Sequence, residues 1–160
     1  MRIRILITGG TIDGLVEPGH EGGYSETFIP EMLEQAKCQA SIVPEVLMMK
    51  DSTDIRTQER EIMLNAIIKC NESKIVITHG TNTMVETAQF LKEANIGKTI
   101  VLCGAMKPFK SEGSDAMFNL GAATLSVQLL QPGVYIVMHG KVFDPSKTQK
   151  DFEQMIFEEK

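Results

Sequence analysis

The sequence predicts an α/β domain built as a three-layer sandwich, with a mostly parallel sheet covered by helices on both faces. Three observations carry this expectation. Apolar runs of strand length alternate along the chain with segments of helical period. Several of the runs, "KIVIT" (74–78), "KTIVLCG" (98–104) and "GVYIVMHG" (133–140), are almost continuously apolar, as strands are when both sheet faces are covered. Finally, 160 residues are enough to bury one core and too few to house a second domain comfortably.

Taken in order, "IRILIT" (3–8) is a first strand, and "ETFIPEMLEQA" (26–36) reads as a helix that tolerates Pro30 near its start. "ASIVPEVLMM" (40–49) is extended, with Pro44 marking an edge strand or a bend. "TQEREIMLNAIIKCN" (57–71) opens on a threonine cap and sets Ile62, Ala66 and Ile67 on one helical face. The three apolar strands follow, separated by helices "MVETAQFLKEAN" (84–95) and "DAMFNLGAATLSVQLLQ" (115–131). The longest irregular stretch, "DGLVEPGHEGGYSE" (13–26), is rich in glycine; a loop of this length is either disordered or a functional lid, and this one reads as a flexible active-site loop.

Composition excludes several function classes. A formal charge of −5, with the 16 basic residues scattered, argues against a nucleic-acid partner. No stretch reaches the roughly 18 apolar residues that span a bilayer, and the apolar run after Met1 is too short for a signal peptide. Cys38, Cys70 and Cys103 are odd in number and contain no C-x-x-C pair, so neither a disulfide framework nor a zinc site is expected. The reading is a cytoplasmic protein.

In open parallel sheets, ligands bind outside the carboxyl ends of the strands. Those ends here are "TGGTIDG" (8–14), "KDSTD" (50–54), "THGTNT" (78–83) and "CGAMKP" (103–108), which converge on a pocket rich in hydroxyls. Phosphate-binding alternatives fail on spacing: "TGGTIDG" has threonine where G-x-G-x-x-G needs its second glycine, and "GKT" (97–99) lies between a helix and a strand with Lys92 at the first glycine position. A threonine in such a pocket becomes a nucleophile when a base takes its proton and N–H donors hold the oxyanion. Gly9 and Gly10 leave backbone N–H groups beside Thr11 for that purpose. His79, Lys147 or a phenolate are candidate bases, with His79 equally readable as a residue that only bonds backbone.

The motifs "TGGTI" (8–12), "THGTNT" with "MVETA" (78–88), and "GAMKP" leading to "SDAMFNL" (104–120) resemble the signatures of bacterial-type L-asparaginases. They occur in the family's order through nearly the whole chain, ending near "DPSKTQ" (144–149), and together cover the family's first, larger domain. The resemblance implies hydrolysis of L-asparagine to L-aspartate and ammonia through a threonine acyl-enzyme, without metal or cofactor. It implies that Thr11 is the nucleophile and that Tyr24 closes over the substrate and polarises it. Thr81 and Lys147 match the second threonine and its lysine, which handle water and protons. Gly10, Ser52, Thr53, Asn82 and the carbonyl of Ala105 match substrate-binding positions, Ser52 at the α-carboxylate and Ala105 at the leaving amide.

Two departures from the family pattern matter. Where the family has the aspartate that binds the substrate's α-ammonium, this chain has Asn82. The expectation is weaker binding of an ordinary amino acid, which leaves open an amidase for another amide or an idle module that binds a small amide or carboxylate. Family members also continue into a second domain, which in a neighbouring subunit lends an acidic residue to the site. Residues 1–160 are expected to form a single domain without that continuation, either finishing the pocket as a homo-oligomer or representing a fragment or degenerate paralogue.

Overall fold

The computed structural model describes residues 1–14 and 27–160. Five strands, β1 (Arg2–Gly9), β2 (Ser41–Lys50), β3 (Lys74–Thr78), β4 (Thr99–Cys103) and β5 (Gly133–Met138), run parallel. A short β6 (Lys141–Phe143) turns back antiparallel on β5. The order across the six-stranded sheet is β2-β1-β3-β4-β5-β6. The central strands are buried on both faces, with Ile5, Leu6, Ile7, Ile75, Val76, Ile77, Val101 and Leu102 all inaccessible to solvent. β2 lies at the sheet edge, where Pro44 is tolerated, and is only half-buried.

Among the described residues four helices cover the sheet: α1 (Ile29–Gln35), α2 (Thr57–Lys69), α3 (Met84–Glu93) and α4 (Ala116–Leu129). α1 and α4 share one face, where they line a common apolar groove; α2 packs on α3 across the other. This arrangement makes β4–α4–β5 unusual. α3 and α4 take the same one-strand step across the sheet from opposite faces, so their crossovers have opposite hands. The connections through α1 and α2 share the hand of α3, and the α4 connection is the one that departs from the right-handed rule.

The expected helix over 57–71 forms with two differences. Ile67 faces the core as expected, but its buried companion is Met63, while Ile62 is exposed and Ala66 half-buried. The helix start is satisfied by Glu59, whose carboxylate accepts the Arg56 N–H at 2.9 Å, rather than by a threonine side chain. Beyond the expected elements, residues 148–159 form a two-stranded antiparallel hairpin, β7 (Thr148–Asp151) and β8 (Ile156–Glu159). Phe157 docks the hairpin on the domain through ring contacts with Phe143 and His139.

Two glycines give opposite expectations for stability. A Cβ at Gly104, just past β4, would lie 2.3 Å from the His79 carbonyl oxygen, whereas one at Gly121, inside α4, would meet no neighbouring atom within 4 Å. Gly104→Ala is expected to destabilise the fold by about 1–3 kcal/mol, and Gly121→Ala to stabilise it by roughly 0.5–1 kcal/mol. Denaturant midpoints of the two variants, moving to opposite sides of wild type, are the check.

Candidate active site

The carboxyl ends of β1 to β4 lie side by side, and each is followed by a turn of small or polar residues. After β1 the chain enters a 3-10 turn at Thr11–Asp13, with Gly10 at φ 84° leading into it. After β2 it makes a 3-10 turn at Ser52–Asp54, closed by the Asp51 carboxylate, which accepts the Thr53 N–H at 2.8 Å. β3 ends in His79-Gly80-Thr81-Asn82, and β4 in Gly104-Ala105-Met106.

Glycine lets these turns touch. A Cβ on Gly10 would sit 2.4 Å from the Gly80 nitrogen, and a Cβ on Gly80 would sit 2.6 Å from the Ser52 Cβ. The Gly10 and Gly80 backbones therefore touch directly and the Ser52 side chain packs against Gly80, at distances that leave neither glycine room for a Cβ, and the residues that directly follow the two glycines are Thr11 and Thr81. Hydrogen bonds fix the stack: Gly10 N–H to Lys50 O at 2.9 Å, Asn82 N–H to Ser52 Oγ at 3.2 Å, and Thr83 Oγ1 to Ser52 O at 2.7 Å. Because the Gly10 N–H is spent on Lys50, it is not the free donor expected beside Thr11.

His79 supports this stack from beneath. Its side chain is fully buried, Nδ1 lies 2.7 Å from the Gly80 carbonyl oxygen and Nε2 lies 3.0 Å from Thr87 Oγ1. A carbonyl only accepts, so Nδ1 carries the proton and donates it, while Nε2 accepts from the Thr87 hydroxyl. Thr87 in turn accepts from Arg60 Nε at 3.1 Å, which completes a relay from α2 to the Gly80 carbonyl. Burial first, and then the field of Arg60, push the imidazole down to about 4, against the carbonyl contact that favours the cation. A neutral, doubly engaged imidazole has no free nitrogen with which to act as a base.

The hairpin supplies the group that faces Thr81. Strand alternation turns Thr148 and Lys150 inward and Gln149 outward. Lys150 Nζ donates to Thr81 Oγ1 at 2.8 Å and to Asn82 Oδ1 at 2.6 Å, and it sits 4.8 Å from the centre of the Phe152 ring. Desolvation holds this ammonium below the ordinary lysine range, with the Asp51 carboxylate opposing the shift. Thr81 is buried and Asn82 exposed, so the lysine joins a buried and an exposed residue of the turn that follows β3.

On the far side, the Gly104–Lys107 turn is anchored to the start of α4. Asp115 accepts the N–H groups of Met106 and Lys107 at 3.0 and 2.9 Å, and Asn119 Nδ2 donates to Gly104 O at 3.0 Å. Asn119 also accepts the His139 N–H at 3.0 Å, which ties the end of β5 to the same network. No group of three or more histidine, cysteine, aspartate or glutamate side chains is arranged to hold a metal among the described residues.

A family model described as "Asparaginase, N-terminal" matches residues 2–155. The chain belongs to the asparaginase family. It is 32% identical over 152 residues to a subunit of the glutamyl-tRNA(Gln) amidotransferase of Methanococcus vannielii, covering 89% of this chain and 35% of that protein. It is also 32% identical over 154 residues to L-asparaginase 2 of Escherichia coli, covering 89% of this chain and 44% of that one. The thermostable L-asparaginase of Thermococcus kodakarensis superposes with a TM-score of 0.84 at 27% identity, over 99% of this chain and 51% of that structure. The chain thus spans between a third and about half of the length of these asparaginase-family relatives.

Within this asparaginase domain the structure gathers most of the residues singled out from sequence. Thr11, Gly10, Ser52, Thr81, Asn82 and Ala105 all lie on the strand-end turns, and Ala105 is fully buried. The Thr53 hydroxyl is turned onto Asp51 at 2.7 Å, within its own turn. Tyr24 falls in residues 15–26, outside the described residues, as does most of the 13–26 loop. Lys147 requires a correction: it is exposed in a 3-10 turn before β7, and Lys150 occupies the place beside Thr81. Sequence reasoning passed over Lys150, Asp115 and Asn119. The signal for Lys150 was the alternation of "TQKD", which puts it on the same face as the buried Thr148.

The buried neutral His79 sets a pH dependence for stability. Its folded pKa of about 4 lies below the unfolded value, so between pH 6.5 and 4 the unfolded chain binds more protons and stability falls as pH falls. The histidine's share of that loss is roughly 3 kcal/mol, fully developed below pH 4. Urea unfolding at pH 7 and pH 4 is expected to show a smaller acid loss for His79→Gln than for wild type.

Proposed function

We propose that this asparaginase domain is an amidohydrolase that releases ammonia from the side-chain carboxamide of a small asparagine-like carboxylate, with Thr11 as nucleophile. The observation that supports this most directly is the Lys150–Thr81 hydrogen bond set beside the turn that carries Thr11. Desolvation lowers the pKa of Lys150 and so eases the loss of its proton, and the hydroxyl of Thr81 connects it to the reacting centre.

In this reading Thr11 Oγ attacks the amide carbon while its proton passes towards Lys150 by way of Thr81. The carbonyl oxygen becomes an oxyanion. We assign its donors as the N–H groups of Thr11 and Ile12, at the start of the 3-10 turn, where the turn itself supplies no acceptor. The leaving nitrogen takes up a proton and departs as ammonia, and the Thr11 ester is then hydrolysed by water, which restores the hydroxyl. Ser52, buried against Asn82 N–H, keeps its own hydroxyl proton for a substrate carboxylate. Ala105, held by the Asp115 and Asn119 network, offers its carbonyl to the leaving amide. Tyr24 is assigned as the group that closes over Thr11.

The proposal places the enzyme in the cytoplasm, in keeping with the free cysteines Cys38, Cys70 and Cys103, and has a second copy of the chain close the exposed side of the pocket at Asn82. No helix among the described residues is long and apolar enough to cross a membrane. A second reading, a module that binds a small amide without turning it over, draws on Asn82, which removes a carboxylate from the pocket.

Ammonia release from a panel of primary amides separates the two readings. Wild type is expected to turn over at least one member, and Thr11→Ala none. Lys150→Arg, which keeps the charge but cannot shed its proton near neutrality, is expected to lower kcat by about 10²–10⁴-fold. The rising limb of the wild-type pH–rate profile should fall below the ordinary lysine pKa of about 10.4 and vanish in that variant. Lys147→Arg should stay within about twofold of wild type, since that side chain is exposed. Saturable binding with no ammonia from any amide would favour the binding module.

A further inference from the structure

The contact between Lys150 and Asn82 has a second consequence, for what the site selects. An ammonium group is a donor with no acceptor, so the 2.6 Å contact requires the oxygen of the Asn82 amide to face the lysine. The Asn82 nitrogen is thereby directed away from Lys150, and it makes no hydrogen bond among the described residues. Asn82 is exposed at the pocket rim, and its backbone N–H is held on Ser52 Oγ, the hydroxyl assigned to the substrate carboxylate. The free face of residue 82 therefore presents two N–H donors next to the carboxylate position.

A carboxylate at this place could satisfy the lysine with one oxygen and a substrate cation with the other. The amide cannot. A substrate ammonium here would meet donor against donor, with the charge of Lys150 on the other side of the same side chain. Asp51 is the carboxylate whose field reaches Lys150, but it sits in the neighbouring turn with Oδ1 committed to the N–H and hydroxyl of Thr53. Thr81, the remaining neighbour of the lysine, is uncharged and already accepts from it.

We infer that the site selects a four-carbon monoamide that bears a hydrogen-bond acceptor, a hydroxyl or carbonyl oxygen, at the carbon where L-asparagine bears its ammonium. The Asn82 amide donates to that oxygen, Ser52 holds the adjoining carboxylate, and the carboxamide lies at Thr11. This deepens the amidohydrolase reading and rests on it for the placement of the substrate. The chemistry of cleavage is unchanged. What changes is the polarity of one recognition contact, from an acceptor for a cation to a donor for an oxygen.

The test is calorimetric titration of Thr11→Ala, in which bound amide persists, with L-asparagine and with 2-hydroxysuccinamate. The hydroxy compound is expected to bind at least about tenfold more tightly, which is about 1.4 kcal/mol. The order should reverse in Thr11→Ala combined with Asn82→Asp. Equal or tighter binding of L-asparagine by the Asn82 protein, or binding of neither compound, overturns the inference. Ammonia release by wild type from the same two amides is read separately. If the binding order holds and neither amide is cleaved, the hydrolytic reading fails while the recognition inference stands.

Discussion

The site depends on the stacking of Gly10, Gly80 and Ser52 at the carboxyl edge of the sheet. Parallel strands lie about 4.8 Å apart, and the turns that leave them ordinarily diverge to make room for side chains. Here a Cβ on either glycine would fall inside 2.7 Å of its neighbour, so the first and third turns pass at backbone contact and the Ser52 side chain lies directly on Gly80. That contact brings together the two threonines that follow the glycines. It also gives a reason for the histidine buried below. Gly80 has no side chain with which to fix its own peptide, so its carbonyl is fixed from outside by His79, through a relay that begins at Arg60 on the far helix. The cost of holding an imidazole neutral in the core is carried as acid sensitivity.

Most of the architecture was legible in the sequence because strands buried on both faces are nearly continuous apolar runs, and the segments between them have helix length and lack internal turn signals. The turns were legible too, since glycine and threonine clustered at a strand end combine close backbone approach with hydroxyls, a pairing that suits a binding pocket better than a packed core. What the sequence could not convey were contacts set by rotation of one element against another. On α2 the buried partner of Ile67 is Met63 rather than Ile62, because both positions are apolar and periodicity alone does not choose between them. Lys147 and Lys150 differ in the same way: each follows the last long strand, and the pairing of Thr148–Asp151 with Ile156–Glu159 decides which one turns inward. A hairpin of four-residue strands with mixed polarity carries almost no periodic signal of its own.

Asp115 and Asn119 belong to a third category. They stood in a recognised motif, yet their role emerged only with the hydrogen bonds that tie the Gly104–Lys107 turn to the first turns of α4. That anchoring gives a reason for the unusual hand of the β4–α4–β5 crossover to matter. With α4 on the face of α1, its amino end stands beside the carboxyl end of β4 and can bind the turn, while α3 on the other face remains free to carry Thr87 beneath His79. Each face of the sheet thus supports a different wall of one pocket.

In the proposed mechanism Asn82 joins recognition to proton transfer in a single side chain. An aspartate in this position would hold Lys150 as an ammonium, since an opposite charge at hydrogen-bond distance raises a lysine's pKa. Asparagine keeps the hydrogen bond to the lysine and omits the charge, leaving desolvation as the larger influence, opposed only by the more distant Asp51. The same omission removes the anion that an α-ammonium would need. The two effects cannot be tuned independently at this position, because both follow from whether residue 82 is charged. A site that makes its lysine a better base in this way gives up attraction for an amino-acid cation, and a substrate with a neutral oxygen at that carbon is the one for which nothing is lost.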